Sequence, residues 1–131
     1  TLSMLESGIK GTGSVTVVPE NTAAACGSGT LQVFATPAMI ALMEKTCLNS
    51  VAPFLEDGCG TVGTLLNVRH TAPTPLGMEV TCESELTQVD GRRLVFHVTC
   101  RDAKGPVGEG EHERFIIFSE KFQKKADAKR D

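Results

Sequence analysis

Three polar side chains lie at positions where the sequence otherwise predicts an apolar interior. Thr36 directly precedes Pro37, and proline is favoured at the first position of a helix, so we expect the Thr36 hydroxyl to cap a helix there. Glu44 follows two turns later and is expected at the centre of an apolar helical stripe. His70 ends a strand-like run whose alternation places it on the apolar face. The other members of the helical stripe are Ile40, Ala41, Cys47, Leu48 and Val51.

These three residue types can together perform acyl transfer or hydrolysis if they converge. A carboxylate in contact with an imidazole gives a positioned base, and a nearby hydroxyl can act as a nucleophile or orient a water molecule. The free N–H groups at a helix start favour developing negative charge. Structural explanations are also open, because Glu44 and His70 could form a buried ion pair and Thr36 could act only as a cap. His70 could equally be a satisfied core histidine, and Gly63 could be a bulge glycine as easily as a backbone donor to a substrate oxygen.

A single long helix is predicted within the stretch 34–51, starting at Pro37, since no Gly or Pro interrupts the chain between Pro37 and Pro53. A short edge strand is predicted at 14–18, and four strands follow the helix. Asp90-Gly91 predicts a tight hairpin, and Gly108 and Gly110 predict a bulge or a close backbone approach in the last strand. The four later strands are expected at 61–70, 78–89, 92–101 and 107–118.

This order predicts an α+β fold in which one helix covers an antiparallel sheet. The helix is apolar nearly all round, so either the sheet curls around it or a second subunit covers the rest. With 131 residues, the chain is expected to form one domain over 1–131, with flexible ends at 1–13 and 121–131.

Composition narrows the function classes. The formal net charge of −3 argues against a nucleic-acid partner, and no apolar run is long enough for a membrane span. Five widely spaced cysteines without a CxxC pair predict reduced thiols and a cytoplasmic protein. The three histidines do not match zinc spacings and no phosphate-binding glycine loop is present, so we expect no metal and no cofactor. His97 is interpreted as a solvated exterior residue. His112 and Arg114 share one strand face, and spacing alone favours neither a functional role nor a charged strand exterior for them.

Four longer segments of the sequence resemble those of a known protein family. They are VFATPAMIALME, APFLEDGCGTVGTLLNVRHTAPTPLGMEV, VDGRRLVFHVTCRD and GEGEHERF. Over about residues 33–122 the chain resembles the fluoroacetyl-CoA thioesterase-like family of hot-dog-fold proteins. The resemblance implies one long central helix wrapped by a curved antiparallel sheet, and a homodimer with its active sites at the subunit interface.

The resemblance also implies roles for individual residues. Thr36, Glu44 and His70 match the family's catalytic positions, and Gly63 and Arg114 match positions that contact the substrate. The implied activity is hydrolysis of an acyl-CoA to the free acid and CoA, with no metal or redox cofactor. A module that binds or senses acyl-CoA without turnover is the alternative.

The sequence departs from the fluoroacetate-specific enzyme just before the helix. That enzyme carries aromatic side chains in the segment that covers its pocket, whereas residues 23–32 of this chain read AAACGSGTLQ. A small or medium acyl-CoA is therefore expected as substrate, and fluoroacetyl specificity is not predicted.

Overall fold

The computed structural model describes residues 5–130 of the chain. The elements in chain order are strand β1 (Lys10–Thr16), short helix α1 (Ala23–Cys26), long helix α2 (Thr36–Val51), strands β2 (Cys59–His70), β3 (Glu79–Asp90), β4 (Arg93–Asp102) and β5 (Gly105–Phe118), and helix α3 (Ser119–Asp127). Single 3-10 turns occupy Pro19–Asn21, Ala52–Phe54 and Ala128–Arg130. Within this described part, no helix is long and apolar enough to cross a membrane.

The five strands form one antiparallel sheet in the order β1-β3-β4-β5-β2. The predicted hairpin is confirmed: Asp90 pairs with Arg93, and Gly91 has the positive φ of +61° that the tight turn requires. β1 and β2 are the two edges of the sheet. This arrangement confirms the α+β hot-dog fold, with α2 lying on one face of the sheet, mostly over β1 and β3.

The core lies between α2 and the inner face of the sheet. Met39, Met43 and Cys47 of α2 have no exposed surface, and neither do Leu86 and Phe96 of the sheet. Burying such a side chain stabilises the fold by about 1.5–3 kcal/mol. The close approach that the sequence predicted at Gly108 is confirmed, because a Cβ added to this glycine would overlap the sulfur of Met39 on α2. The missing side chain at Gly108 therefore allows α2 to pack closely against β5.

The predicted orientation of α2 is wrong by about one residue. Its buried face follows Met39 and Met43, so Glu44 lies at the border of that face with 41% of its side chain exposed. Ala41 and Leu48, predicted to be buried beside Glu44, are exposed. The helix has apolar residues on nearly every side, so periodicity could not decide which face meets the sheet. A second apolar face is consequently left uncovered in the single chain.

Regular secondary structure extends further towards both ends of the chain than the sequence predicted. β1 begins at Lys10, four residues before the predicted edge strand, and α3 continues into the predicted C-terminal tail as far as Asp127. Gly11 and Gly13 let β1 approach α2 closely, since added Cβ atoms would lie 2.7 Å and 2.8 Å from α2 side chains. Residues 1–4 and 131 of the predicted ends lie outside the described residues.

Candidate active site

Thr36 and His70 converge as the sequence predicted. Ala35 is the N-cap of α2 and Thr36 is the first helical residue, so the hydroxyl does not cap the helix as expected. Thr36 Oγ1 instead lies 2.7 Å from His70 Nδ1. The extended backbone at Ala35 and the last residue of β2 together bring these two side chains into contact.

The other ring nitrogen of His70 has a different environment. His70 Nε2 is buried and has no hydrogen-bond partner within residues 5–130. Burial lowers the pKa of His70, which keeps the ring neutral at neutral pH. A neutral ring that accepts the Thr36 hydroxyl proton at Nδ1 carries its own proton on Nε2, and this N–H still needs an acceptor.

A cleft of about 280 Å³ opens beside this pair. Small and apolar side chains dominate its walls, and Phe34 also meets the His70 ring edge-on with centroids 6.5 Å apart. The walls are formed by Ala23, Ser28, Val33, Phe34, Thr36, His70, Thr71, Ala72 and Pro73. The cleft is thus partly bounded by the segment before α2.

Glu44 lies in a second cluster. Glu44 Oε2 is 3.5 Å from Arg114 Nη1, and it would be only 2.5 Å from a Cβ added at Gly63. The glycine therefore makes room for the carboxylate against β2. No ion pair joins Glu44 to His70 within the described part of the chain.

Arg114 is buried, with every guanidinium nitrogen engaged inside the chain. Nε donates to Thr61 Oγ1 at 2.8 Å, Nη2 donates to the Thr61 carbonyl at 2.8 Å, and Nη1 lies 3.1 Å from His112 Nε2. Burial lowers the pKa of Arg114, and the nearby Glu44 carboxylate opposes this shift. The residue expected to contact substrate is therefore surrounded by protein.

His112 was missed by sequence reasoning. It has no exposed surface and Arg114 is also buried, so the charged strand exterior, one of the two interpretations left open for this pair, is wrong. A signal was present, because Ile116 shares their strand face and is apolar. By contrast, His97 lies on the exposed face as predicted and pairs with Glu111 at 2.7 Å.

Two half-sites thus exist in one chain. The first half-site is Thr36 with His70, and the second half-site is Glu44 with Gly63, His112 and Arg114. Thr36 and Glu44 are eight residues apart on α2, about 12 Å along its axis. His70 and Gly63 are seven residues apart on β2, about 23 Å if fully extended. The three predicted catalytic side chains therefore do not meet within a single chain.

A bulge in β2 nevertheless places both half-sites on the same face of the sheet. Seven residues would normally put Gly63 and His70 on opposite faces. The register shifts between Gly63 and Leu65, so Gly63 pairs with Arg114 while His70 pairs with Gly108. Arg114 and Gly108 are an even number of residues apart on β5, so all four positions share the inner face.

Comparisons with known proteins identify the family and the fold. Residues 17–120 match the family described as fluoroacetyl-CoA-specific thioesterase. A fluoroacetyl-CoA thioesterase of Streptantibioticus cattleyicolor is 47% identical over 98 residues, which is 75% of this chain and 70% of that protein. A structure of the fluoroacetyl-CoA thioesterase FlK superposes with a TM-score of 0.91 at 39% identity, covering 95% of this chain and 97% of that one.

Two further structures extend the likeness. A variant of FlK in complex with fluoroacetate and CoA gives a TM-score of 0.85 at 40% identity, covering 90% of this chain and 99% of that one. A thioesterase superfamily member of Thermus thermophilus gives a TM-score of 0.87 at 26% identity, covering 95% and 93%. Because the family model covers residues 17–120, the curated relative is 47% identical and the whole fold superposes on FlK, the chain belongs to the fluoroacetyl-CoA-specific thioesterase family of hot-dog thioesterases.

Proposed function

We propose that this protein hydrolyses a small or medium acyl-CoA to the free acid and coenzyme A. The observation that carries the proposal is the 2.7 Å contact between Thr36 Oγ1 and His70 Nδ1 beside an open cleft. A hydroxyl paired with a neutral imidazole is the arrangement that nucleophilic or general-base chemistry needs. Membership of a thioesterase family supplies the reaction class, and the FlK complex with CoA supports an acyl-CoA substrate.

In the proposed reaction His70 acts first as a base. It removes a proton from the Thr36 hydroxyl, or from a water molecule that this hydroxyl orients, and the resulting oxygen attacks the thioester carbonyl. The C–S bond then breaks and the CoA sulfur leaves, taking the proton back from His70. On the route through Thr36 the acyl group is then an ester on Oγ1, and a water molecule deprotonated by His70 attacks it, so that the C–O bond breaks, the acid leaves and the Thr36 hydroxyl regains its proton. Both routes consume one water molecule and give one acid and one thiol.

During attack on the thioester, negative charge develops on the carbonyl oxygen, and hydrogen-bond donors are needed to stabilise it. The N-terminus of α2 begins at Thr36 and favours such charge through its free N–H groups. We assign Gly63 the role of a backbone contact to the thioester, as the family resemblance implies. Glu44 is assigned to accept the hydrogen bond from His70 Nε2–H and to stabilise the imidazolium that forms.

A homodimer can bring the two half-sites together. β2 is an edge strand, and its inner-face Leu66 is 39% exposed in the single chain. Two β2 edges paired antiparallel about a twofold axis place the His70 end of one strand beside the Gly63 end of the other. Glu44 of one copy then approaches His70 of the second copy. The same pairing offers cover for the uncovered apolar face of α2.

The acyl group is assigned to the cleft beside Thr36 and His70. Its volume of about 280 Å³ and its small side chains fit a small or medium acyl chain. Residues 23–32 contribute no aromatic ring to it. We further propose a cytoplasmic location, since all five cysteines are free thiols, as expected in a reducing compartment.

A thiol-release assay over a panel of acyl-CoAs of increasing chain length tests the function. We expect turnover of short and medium chains, and a loss of kcat of about 10²–10⁴-fold in His70→Ala, the range for removal of a general base. His97→Ala is the matched control, because His97 lies on the exposed face away from both half-sites. Tight binding of acyl-CoA without thiol release would instead identify a binding module.

A further inference from the structure

The buried His112 has no part in the mechanism above, yet its contacts define its chemical form. Its Nδ1 lies 2.8 Å from the Leu65 carbonyl and its Nε2 lies 3.1 Å from Arg114 Nη1. Its ring also stacks on Phe96, with centroids 6.3 Å apart and planes at 29°. The two ring nitrogens and one ring face therefore contact residues of three strands, which are β2, β5 and β4.

Only one protonation state satisfies both polar contacts. A carbonyl can only accept, so His112 Nδ1 carries the proton and donates to Leu65. A guanidinium can only donate, so His112 Nε2 accepts from Arg114. Leu65 follows the β2 bulge directly, and the bulge therefore selects the tautomer. An imidazolium would place two donors and two positive charges against each other.

This neutral ring completes the shell around Arg114. With Thr61 accepting from two nitrogens and His112 from the third, the guanidinium cannot rotate without losing hydrogen bonds in a buried site. Its Nη1 then faces Glu44 Oε2 in a fixed direction. Glu44 is itself 41% exposed, so its carboxylate gains its orientation largely from this partner.

We propose that Arg114 and His112 are positioning residues that fix the Glu44 carboxylate, and that Arg114 acts through Glu44 and not on the substrate. The role rests on the proposed function only in giving Glu44 a catalytic task. Arg114 thus has a positioning role in place of the substrate contact that the family resemblance implies, and His112 joins the residues that determine the geometry of the active site.

Two variants of His112 separate positioning from packing. His112→Gln keeps a side-chain acceptor for Arg114, whereas His112→Leu removes both polar contacts and keeps an apolar side chain against Phe96. We expect His112→Leu to lower kcat about tenfold with KM nearly unchanged, because a misplaced catalytic group raises the barrier more than it weakens binding. His112→Gln is expected to restore most of kcat. Equal losses in both variants would overturn the proposal.

A double-mutant cycle tests whether the effect passes through Glu44. In a Glu44→Gln background, His112→Leu should cost little further kcat, since no carboxylate remains to be positioned. If wild-type protein releases thiol and the two losses instead multiply, the inference fails while the proposed function stands. Absence of thiol release by the wild type is the separate failure of the proposed function.

The tautomer can be checked without turnover. In ¹⁵N-labelled protein, assigned by comparison with His112→Gln, the His112 ring should be neutral near pH 7 with a protonated Nδ1 and an unprotonated Nε2. The reverse tautomer, or an imidazolium, would overturn the inference whether or not any acyl-CoA is hydrolysed. This readout also remains decisive if His112→Leu fails to fold.

Discussion

Gly63→Ala is expected to separate activity from stability. The added methyl carbon would lie 2.5 Å from Glu44 Oε2, whereas ordinary contacts begin near 3.4 Å. The carboxylate must therefore retreat by roughly 0.9 Å, and a misplacement of about 1 Å in an active site can cost about 10²-fold in rate. This corresponds to about 2.7 kcal/mol of transition-state stabilisation. The nearest obstructing atom is the end of a flexible side chain, and the buried His112 Cε1, 3.1 Å from the added Cβ, would have to shift by only a few tenths of an ångström. The free energy of unfolding should therefore fall much less than the activity.

The assay compares kcat for CoA release with the free energy of unfolding in urea. Gly60→Ala is the matched control on β2, because its Cβ would meet Ser119 Oγ at 3.1 Å, outside both half-sites. In a Glu44→Ala background, Gly63→Ala should cause no further loss, since the displaced carboxylate is gone. A Gly63→Ala variant that keeps wild-type kcat, or whose full loss persists without the carboxylate, would refute the reasoning.

Three further outcomes follow from the same contacts. Gly108→Ala should destabilise the fold by about 1–3 kcal/mol in urea melts, because its Cβ meets the Met39 sulfur and the neighbouring β2 backbone; unchanged stability would contradict the close packing of α2. The free energy of unfolding should fall as the pH drops through about 6.5, the ordinary pKa of histidine, since burial lowers the pKa values of His70 and His112 and the unfolded chain then binds more protons; a rise on acidification would show the opposite shift. Leu66→Lys should yield a folded monomer without thioesterase activity in size-exclusion and thiol-release assays, because the inner-face leucine is uncovered in one chain; an active dimer would exclude the proposed β2 edge.

Much of the fold could be predicted because local signals agreed. Pro37 and Pro53 bracket the long helix, and the Asp90-Gly91 pair marks the hairpin that the structure confirms. The contact between Thr36 and His70 was also expected, since a helix start and a strand end were each assigned correctly. These features depend on residues close in sequence or on simple alternation.

The remaining features depend on long-range packing. The buried face of α2 could not be chosen, because Met43 and Glu44 are adjacent and apolar residues surround both. The bulge after Gly63 reverses strand alternation. The glycine allowed such a bulge, but the sequence did not decide between a bulge and a backbone donor to substrate. For His112 the local pattern offered only the apolar Ile116 on the same strand face, whereas its hydrogen bond to the Leu65 carbonyl depends on the long-range pairing of β2 with β5.

The central claim is that each active site combines the first half-site of one copy with the second half-site of another. Chains carrying Glu44→Ala and His70→Ala are co-expressed with different affinity tags, and heterodimers are isolated through both tags. Such a heterodimer contains one intact composite site, so about half of wild-type activity per dimer is expected, although each parent homodimer is nearly inactive. Heterodimers no more active than their parents would show that His70 and Glu44 must come from the same chain, which contradicts the account.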